Sequence, residues 1–70
     1  MIKLQEYRER RRMSQEQLAT ASGVTQQAIS AIESGKNKSP RILTMYALAN
    51  ALRCTVDDLI SEEEPERKAE

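Results

Sequence analysis

One stretch near the middle of the chain, QQAISAIES (residues 26–34), carries uncharged polar side chains at helical spacing. On a helix its apolar residues fall on one side, because successive side chains are about 100° apart. The other side then presents amides and hydroxyls: Gln26, Gln27, Ser30 and Ser34. Such a face is suited to hydrogen-bonding a partner, and the plainer interpretation is a solvated helix surface.

Two short helices joined by a glycine turn are expected to position this face. Ser14 with Gln17 matches a capping box that starts a helix over residues 15–21. Gly23 is suited to the left-handed conformation that ends it, and Thr25 is suited to cap the next helix, over residues 26–34. The predicted inward residues are Leu18, Ala21, Val24, Ala28, Ile29 and Ile32. This order of elements is a helix-turn-helix.

Three further helices are predicted around this pair. The first covers residues 2–12 and faces the core with Leu4 and Tyr7. The fourth is expected to start with Ser39 as N-cap and Pro40 at its first position. Its apolar stripe comprises Ile42, Met45, Leu48, Ala49 and Leu52. A short fifth helix comes after Thr55, with Asp58 supporting the cap. The sequence therefore predicts an all-α fold of five helices.

The neutral net charge hides two segments of opposite sign. Residues 1–61 carry nine Lys or Arg and six Asp or Glu, a net charge of +3. Residues 62–70 carry five Glu against Arg67 and Lys68, a net charge of −3. We expect one basic domain over 1–61 and an acidic, disordered tail over 62–70.

The side chains that most enzymes and metal sites need are scarce. The sequence has no His and a single Cys, Cys54, so we expect no metal site, no cofactor and no catalytic activity. Residues 45–52 form the longest nearly apolar run, which is too short to span a bilayer. The charged N-terminus lacks the apolar stretch of a signal peptide, and we expect a cytoplasmic, nucleoid-associated protein with Cys54 as a small hydrophobic residue.

Residues 4–60 closely resemble the five-helix domain of the phage-repressor and Cro class of helix-turn-helix regulators. The matching residues are Arg8, SQEQLA (14–19), GVTQQAIS (23–30), IESGK (32–36), Pro40 and the A-L-x-x-x-x-x-D-L pattern of 51–59. Two positions depart from the family pattern: Ala31, where some relatives have a long polar side chain, and Arg53, where relatives often have Gly. We therefore expect a shorter recognition surface, and at Arg53 either a strained left-handed conformation or a different end of helix four.

The resemblance implies roles for specific residues. Gln15 is placed to bind the DNA backbone, and Gln26 and Gln27 to contact bases, where a glutamine amide suits adenine. Thr25 and Ala28 are placed to contact a thymine methyl or the sugar-phosphate. Together with the outward Ser30 and the polar basic loop after helix three, the predicted DNA-binding residues are Gln15, Thr25, Gln26, Gln27, Ala28, Ser30, Lys36, Asn37, Lys38 and Arg41.

The resemblance also implies a partly buried salt bridge between Arg8 and Glu33. Arg8 would then be structural, although it belongs to a cluster with Arg10, Arg11 and Arg12. For that cluster as a whole, a solvated face and phosphate contact are equally good interpretations.

The predicted function is a sequence-specific regulator of transcription that binds double-stranded DNA, most simply a repressor that excludes polymerase. We expect a homodimer on a palindromic operator, because single domains of this type contact few base pairs. The candidate dimer surface comprises Arg53, Val56, Leu59 and Ile60. An equally good interpretation is that Val56 and Leu59 close the core. Two alternatives remain: an antitoxin whose tail binds a toxin, and a protein-interaction module that does not bind DNA.

Overall fold

The computed structural model describes residues 2–60, which form five α-helices and no strand. The helices are α1 (Leu4–Arg10), α2 (Gln15–Ser22), α3 (Gln26–Ser34), α4 (Ile42–Leu52) and α5 (Val56–Ile60). This confirms the predicted all-α class. No helix within 2–60 has both the length and the apolar character needed to cross a bilayer. The predicted tail, 62–70, lies outside the described residues.

The side-chain caps predicted at the starts of α2, α3 and α5 are confirmed. At the start of α2, the Gln17 N–H donates to Ser14 Oγ (3.0 Å) and the Ser14 N–H donates to Gln17 Oε1 (2.8 Å). The Ala28 N–H donates to Thr25 Oγ1 at the start of α3. The same reciprocal bonds as in α2 link Thr55 and Asp58 at the start of α5. These bonds satisfy N–H groups that have no partner within a helix.

Helix α4 begins two residues later than predicted, and neither Ser39 nor Pro40 belongs to it. Its N-cap is Arg41, which makes no side-chain capping bond, and the first intrahelical bond runs from the Met45 N–H to the Arg41 carbonyl. The Ser39 N–H instead donates to Asn37 Oδ1 (3.1 Å). This bond closes a short turn inside the loop, and the helix begins only after Pro40.

The core is aliphatic apart from a methionine. Its buried residues are Leu4, Leu18, Ile29, Ile32, Met45, Leu48, Ala49, Leu52 and Leu59. Two predicted core residues are wrong: Ala21 is exposed and Ile42 is 56% exposed. Helix α2 packs against the core through Leu18 and Ala19, and Ala21 does not belong to that contact. Ile42 occupies the first turn of α4, beyond the edge of the core.

Helix α5 and the N-terminal segment close one end of the core together. Leu59 is fully buried, and its carbonyl accepts a hydrogen bond from the Lys3 N–H (2.7 Å). Val56 packs partly against the core. The candidate dimer surface must therefore be corrected: Leu59 closes the core and is not available to a second chain, whereas Arg53 and Ile60 are exposed.

Helix α4 ends without glycine. Arg53 takes the left-handed conformation itself, with φ 57° and ψ 44°. The Cys54 N–H then donates to the Ala49 carbonyl (2.9 Å), and the Arg11 guanidinium donates from Nε to the Leu52 carbonyl (2.9 Å). A non-glycine residue is strained in this conformation, because its Cβ crowds the backbone.

Candidate nucleic-acid interface

The first turn of α3 presents its polar side chains to solvent. Gln26, Gln27 and Ser30 are exposed, and Ala28 is partly buried. Thr25 is exposed as well, but its Oγ1 accepts the Ala28 N–H, so its methyl group and hydroxyl proton remain for a partner. The structure thus places five of the residues predicted from sequence side by side at one end of one helix.

Gln15 ties the start of α2 to both ends of α3. Its Nε2 donates to Glu33 Oε1 (2.9 Å), and its Oε1 accepts a long hydrogen bond from Gln26 Nε2 (3.4 Å). An amide nitrogen has two N–H donors, so Gln15 keeps one donor for a partner. Its orientation is fixed by these bonds before any ligand arrives. The Gln15–Glu33 bond was not predicted, since residues 18 positions apart carry no local pattern that links them.

The Arg8–Glu33 ion pair holds α1 against α3. Arg8 Nε donates to Glu33 Oε2 (2.7 Å), Nη2 donates to Oε1 (3.1 Å), and Nη1 donates to the Met13 carbonyl (2.7 Å). The two side chains are only 11% and 6% exposed. The hydrogen bond to Glu33 raises the pKa of Arg8, against the opposing effect of burial. Arg8 is therefore part of the scaffold and not of a phosphate-binding surface.

Two further arginines of the basic cluster also contact the protein itself. Arg10 Nη2 lies 2.8 Å from Glu6 Oε2, and its guanidinium stacks 4.6 Å from the centre of the Tyr7 ring. Arg11 binds the last carbonyl of α4. Arg12 is exposed and has a positive φ of 57°. For Arg8, Arg10 and Arg11, the structural interpretation of the cluster is the better supported one.

The loop after α3 keeps its cations exposed. Lys36, Lys38 and Arg41 are solvent-accessible and form no ion pair with another residue in 2–60. We refer to these three residues as the loop cations. Asn37 has a different role, since its N–H donates to the Ala31 carbonyl (3.0 Å) and its Oδ1 accepts from the Ser39 N–H (3.1 Å). Its Nδ2 group is the donor that is left for an outside partner.

Both helices of the pair begin with N–H groups that face no partner in their own helix. In α2 the Leu18 N–H makes the first intrahelical bond, to the Ser14 carbonyl, and in α3 the Ile29 N–H does so, to the Thr25 carbonyl. The N–H groups of Gln15 and Gln26 precede these bonds. Helix N-termini of this kind attract anions, because the free N–H groups and the helix dipole both favour negative charge.

Cys54 and the acidic side chains within 2–60 are not arranged as a metal centre. No group of three His, Cys, Asp or Glu side chains among residues 2–60 has the arrangement of a metal site. Burial raises the pKa of the Cys54 thiol, and the nearby carboxylate of Asp58 raises it further. The thiol is therefore protonated at neutral pH.

Comparison with known proteins points to one family. A family model described as helix-turn-helix matches residues 4–59. The chain is also 42% identical over 57 residues to the HTH-type transcriptional repressor RghR of Bacillus subtilis (strain 168). That alignment covers 81% of the chain and 42% of the relative, so the chain spans less than half of the relative's length.

Proposed function

The chain belongs to the helix-turn-helix family of DNA-binding transcriptional regulators, and we propose that it is a repressor that binds a specific operator with the exposed face of α3. The observation that carries the proposal is the adjacent pair Gln26 and Gln27, exposed at the first turn of α3. A glutamine amide can donate to N7 and accept from N6 of one adenine in the major groove. Two such amides favour an operator half-site that contains A·T pairs.

Phosphate contacts on both sides of this pair would fix the helix in the groove. Before the pair, the free N–H groups of α2 and the remaining donor of Gln15 suit one phosphate. Beyond α3, the loop cations suit phosphates further along the strand. Because these contacts replace condensed counterions, we expect affinity to fall steeply as salt concentration rises.

A second copy of the chain is proposed to occupy the adjacent half-site. Domains of this type bind half-sites about one helical turn apart, which requires contact between protomers near the two-fold axis. We propose that this contact uses the exposed large apolar side chains of Ile42, Leu43, Tyr46 and Ile60, which we call the apolar patch. Leu43 is 76% exposed and Tyr46 is 55% exposed. An exposed patch of large apolar side chains on one small domain is typical of an interaction site.

Repression is the simplest regulatory outcome of such binding. A dimer seated on its operator would exclude polymerase from an overlapping promoter, which requires no contact beyond those to DNA. The name of the Bacillus relative, a transcriptional repressor, supports this direction of regulation. We propose that the chain acts in this way on DNA in the cytoplasm.

Selection from a random pool of duplexes tests the proposal. The 70-residue chain is incubated with duplexes that carry a random central region, at a stated salt concentration, and bound molecules are sequenced over several rounds. We expect enrichment of a two-fold symmetric site whose half-sites contain A·T pairs. The Gln26→Ala, Gln27→Ala double variant should lose this enrichment while it keeps weak binding to any duplex. Failure of the unmodified chain to enrich any sequence would overturn the proposal.

A further inference from the structure

The loop cations occupy a long part of the chain that contains no carboxylate. No Asp or Glu occurs between Glu33 and Asp57, and in this interval lie Lys36, Lys38, Arg41 and Arg53. Among residues 2–60 the loop cations have no ion-pair partner, whereas Arg8 and Arg10 each have one. The loop is therefore an uncompensated positive surface within the described part of the fold.

The end of α5 lies beside this surface. Lys38 and Ile60 line the same groove, which has a volume of about 290 Å³ and is also bordered by Ser39, Pro40 and Ile42. Ile60 is the last residue of α5. The chain therefore leaves α5 next to the loop that carries the cations.

The sequence after Ile60 is strongly acidic. Ser61 is succeeded by EEEPE (residues 62–66), which we call the acidic segment. An extended chain advances at most about 3.3–3.6 Å per residue, so the first three glutamates lie within about 15 Å of Ile60. A short tether of this kind gives the carboxylates an effective concentration on the order of millimolar at the loop. The four carboxylates of the acidic segment complement the three loop cations.

From this complementarity we propose that the acidic segment docks on the loop cations of its own chain and competes there with DNA phosphate. The inference rests on the proposed DNA-binding function only for its second half, the competition; docking itself takes place without DNA. The docked segment would lower affinity for any duplex, because the cations it covers are those that bind the backbone irrespective of sequence. A specific operator, with its additional base contacts, would displace the segment more readily than random DNA.

The first test uses the protein without DNA. Backbone amide chemical shifts of residues 36–39 and of Arg41 are recorded for the 70-residue chain and for the tail variant, which carries Glu62→Gln, Glu63→Gln and Glu64→Gln. We expect the two proteins to differ in these shifts at about 50 mM salt and to converge at about 1 M salt, where screening limits charge interactions to about 3 Å. The matched control is Glu6→Gln, Glu9→Gln, Glu16→Gln, which removes the same charge from exposed positions in α1 and α2. Its loop shifts should equal those of the unmodified chain.

The second test measures binding to a duplex of about 20 base pairs and arbitrary sequence. The tail variant should bind about tenfold more tightly than the unmodified chain at about 50 mM salt, the factor expected if about 90% of the molecules are docked. The slope of log affinity against log salt concentration should be steeper for the tail variant by about 2–3, because up to three more phosphate contacts become available. The affinity of the control variant should rise by no more than about a third of that tenfold increase.

These outcomes separate the inference from the proposed function. Identical loop shifts in the unmodified chain and the tail variant would overturn docking, whether or not the chain binds DNA. An equal gain in affinity for the control variant would overturn competition in favour of general charge repulsion. Docking without any DNA binding would refute the proposed function and the competition together, and leave the intramolecular contact standing.

Discussion

Arg8 and Glu33 form a two-point ion pair, with Nε to Oε2 at 2.7 Å and Nη2 to Oε1 at 3.1 Å. The pair is largely buried and joins α1 to the end of the helix that we propose enters DNA. Glu33 also accepts from Gln15, so one carboxylate fixes the positions of α1, α2 and α3. The same residue thus determines both stability and the orientation of a proposed DNA-contacting amide.

Glu33→Ala should lower the free energy of unfolding by up to about 3–5 kcal/mol, because the largely buried Arg8 charge then keeps only its hydrogen bond to the Met13 carbonyl. The exposed pair Arg10–Glu6 provides the control, and Glu6→Ala should cost no more than about 1 kcal/mol. Urea denaturation followed by circular dichroism measures both values. Equal losses of stability for the two variants would show that the buried pair contributes no more to stability than the exposed pair.

Gln26→Ala and Gln27→Ala should each weaken binding to the selected operator by about 1–3 kcal/mol per lost bidentate contact. The same changes should affect binding to an arbitrary duplex much less, because base contacts carry specificity and phosphate contacts carry general affinity. Gln5→Ala, on the exposed side of α1, is the matched control and should leave both affinities unchanged. Fluorescence anisotropy with the two duplexes distinguishes these outcomes.

Arg53→Gly should stabilise the protein, since glycine adopts the left-handed conformation without the strain of a Cβ. A gain of about 1 kcal/mol is expected, and a domain of this size gains about 4–8 °C in Tm for each kcal/mol. Arg53→Ala keeps the Cβ and removes the charge, so it should give no such gain. Thermal unfolding of the three proteins measures the effect, and a gain in the alanine variant would assign it to charge rather than to backbone strain.

Leu43→Glu should weaken the proposed dimer while it leaves the fold intact, because Leu43 is 76% exposed. A carboxylate placed in an apolar contact is costly, since it loses water without gaining a partner. Size determination with and without a palindromic duplex should show two unmodified chains per duplex and a shift towards one chain for the variant. Thr20→Glu introduces the same charge on α2, outside the apolar patch, and should not change the stoichiometry.

The raised pKa of Cys54 predicts a pH effect on both reactivity and stability. Alkylation of the folded protein by iodoacetamide should begin at higher pH than alkylation of the urea-unfolded chain, because burial disfavours the thiolate. The unfolded chain loses this proton first, so the contribution of Cys54 to stability is complete below about pH 8.5 and declines as pH rises through the folded pKa. The stability of Cys54→Ala is measured over the same pH range and subtracted from that of the unmodified chain. The difference removes the contributions of tyrosine and lysine titration.

Much of the fold can be predicted from short-range sequence signals. Ser14, Thr25 and Thr55 each start a helix with a side chain that reaches a backbone N–H three residues on, and such bonds are local enough to be predicted. The predicted start of α4 was wrong, because a Ser-Pro pair suits both a helix start and a turn in a loop, and local residue types do not decide between the two.

The parts of the site that could not be predicted depend on tertiary contacts. Four arginines within residues 8–12 look alike in sequence, yet Arg8 binds Glu33 and Arg11 binds a carbonyl of α4. The resemblance implied the first of these contacts, but residue patterns alone implied neither. The Gln15–Glu33 bond belongs to the same class, because it depends on how closely α2 and α3 pack. The role of each base-contacting residue stays a prediction until DNA is bound.

The hydrogen bond from Lys3 to Leu59 links the segment before α1 to the last helix. Helix α5 has five residues and is too short to persist in water on its own. The two segments should therefore open together as one cooperative unit, although they are 56 positions apart in sequence. Hydrogen exchange at the Lys3 amide would report this opening directly, and removal of the first three residues should release the distant helix.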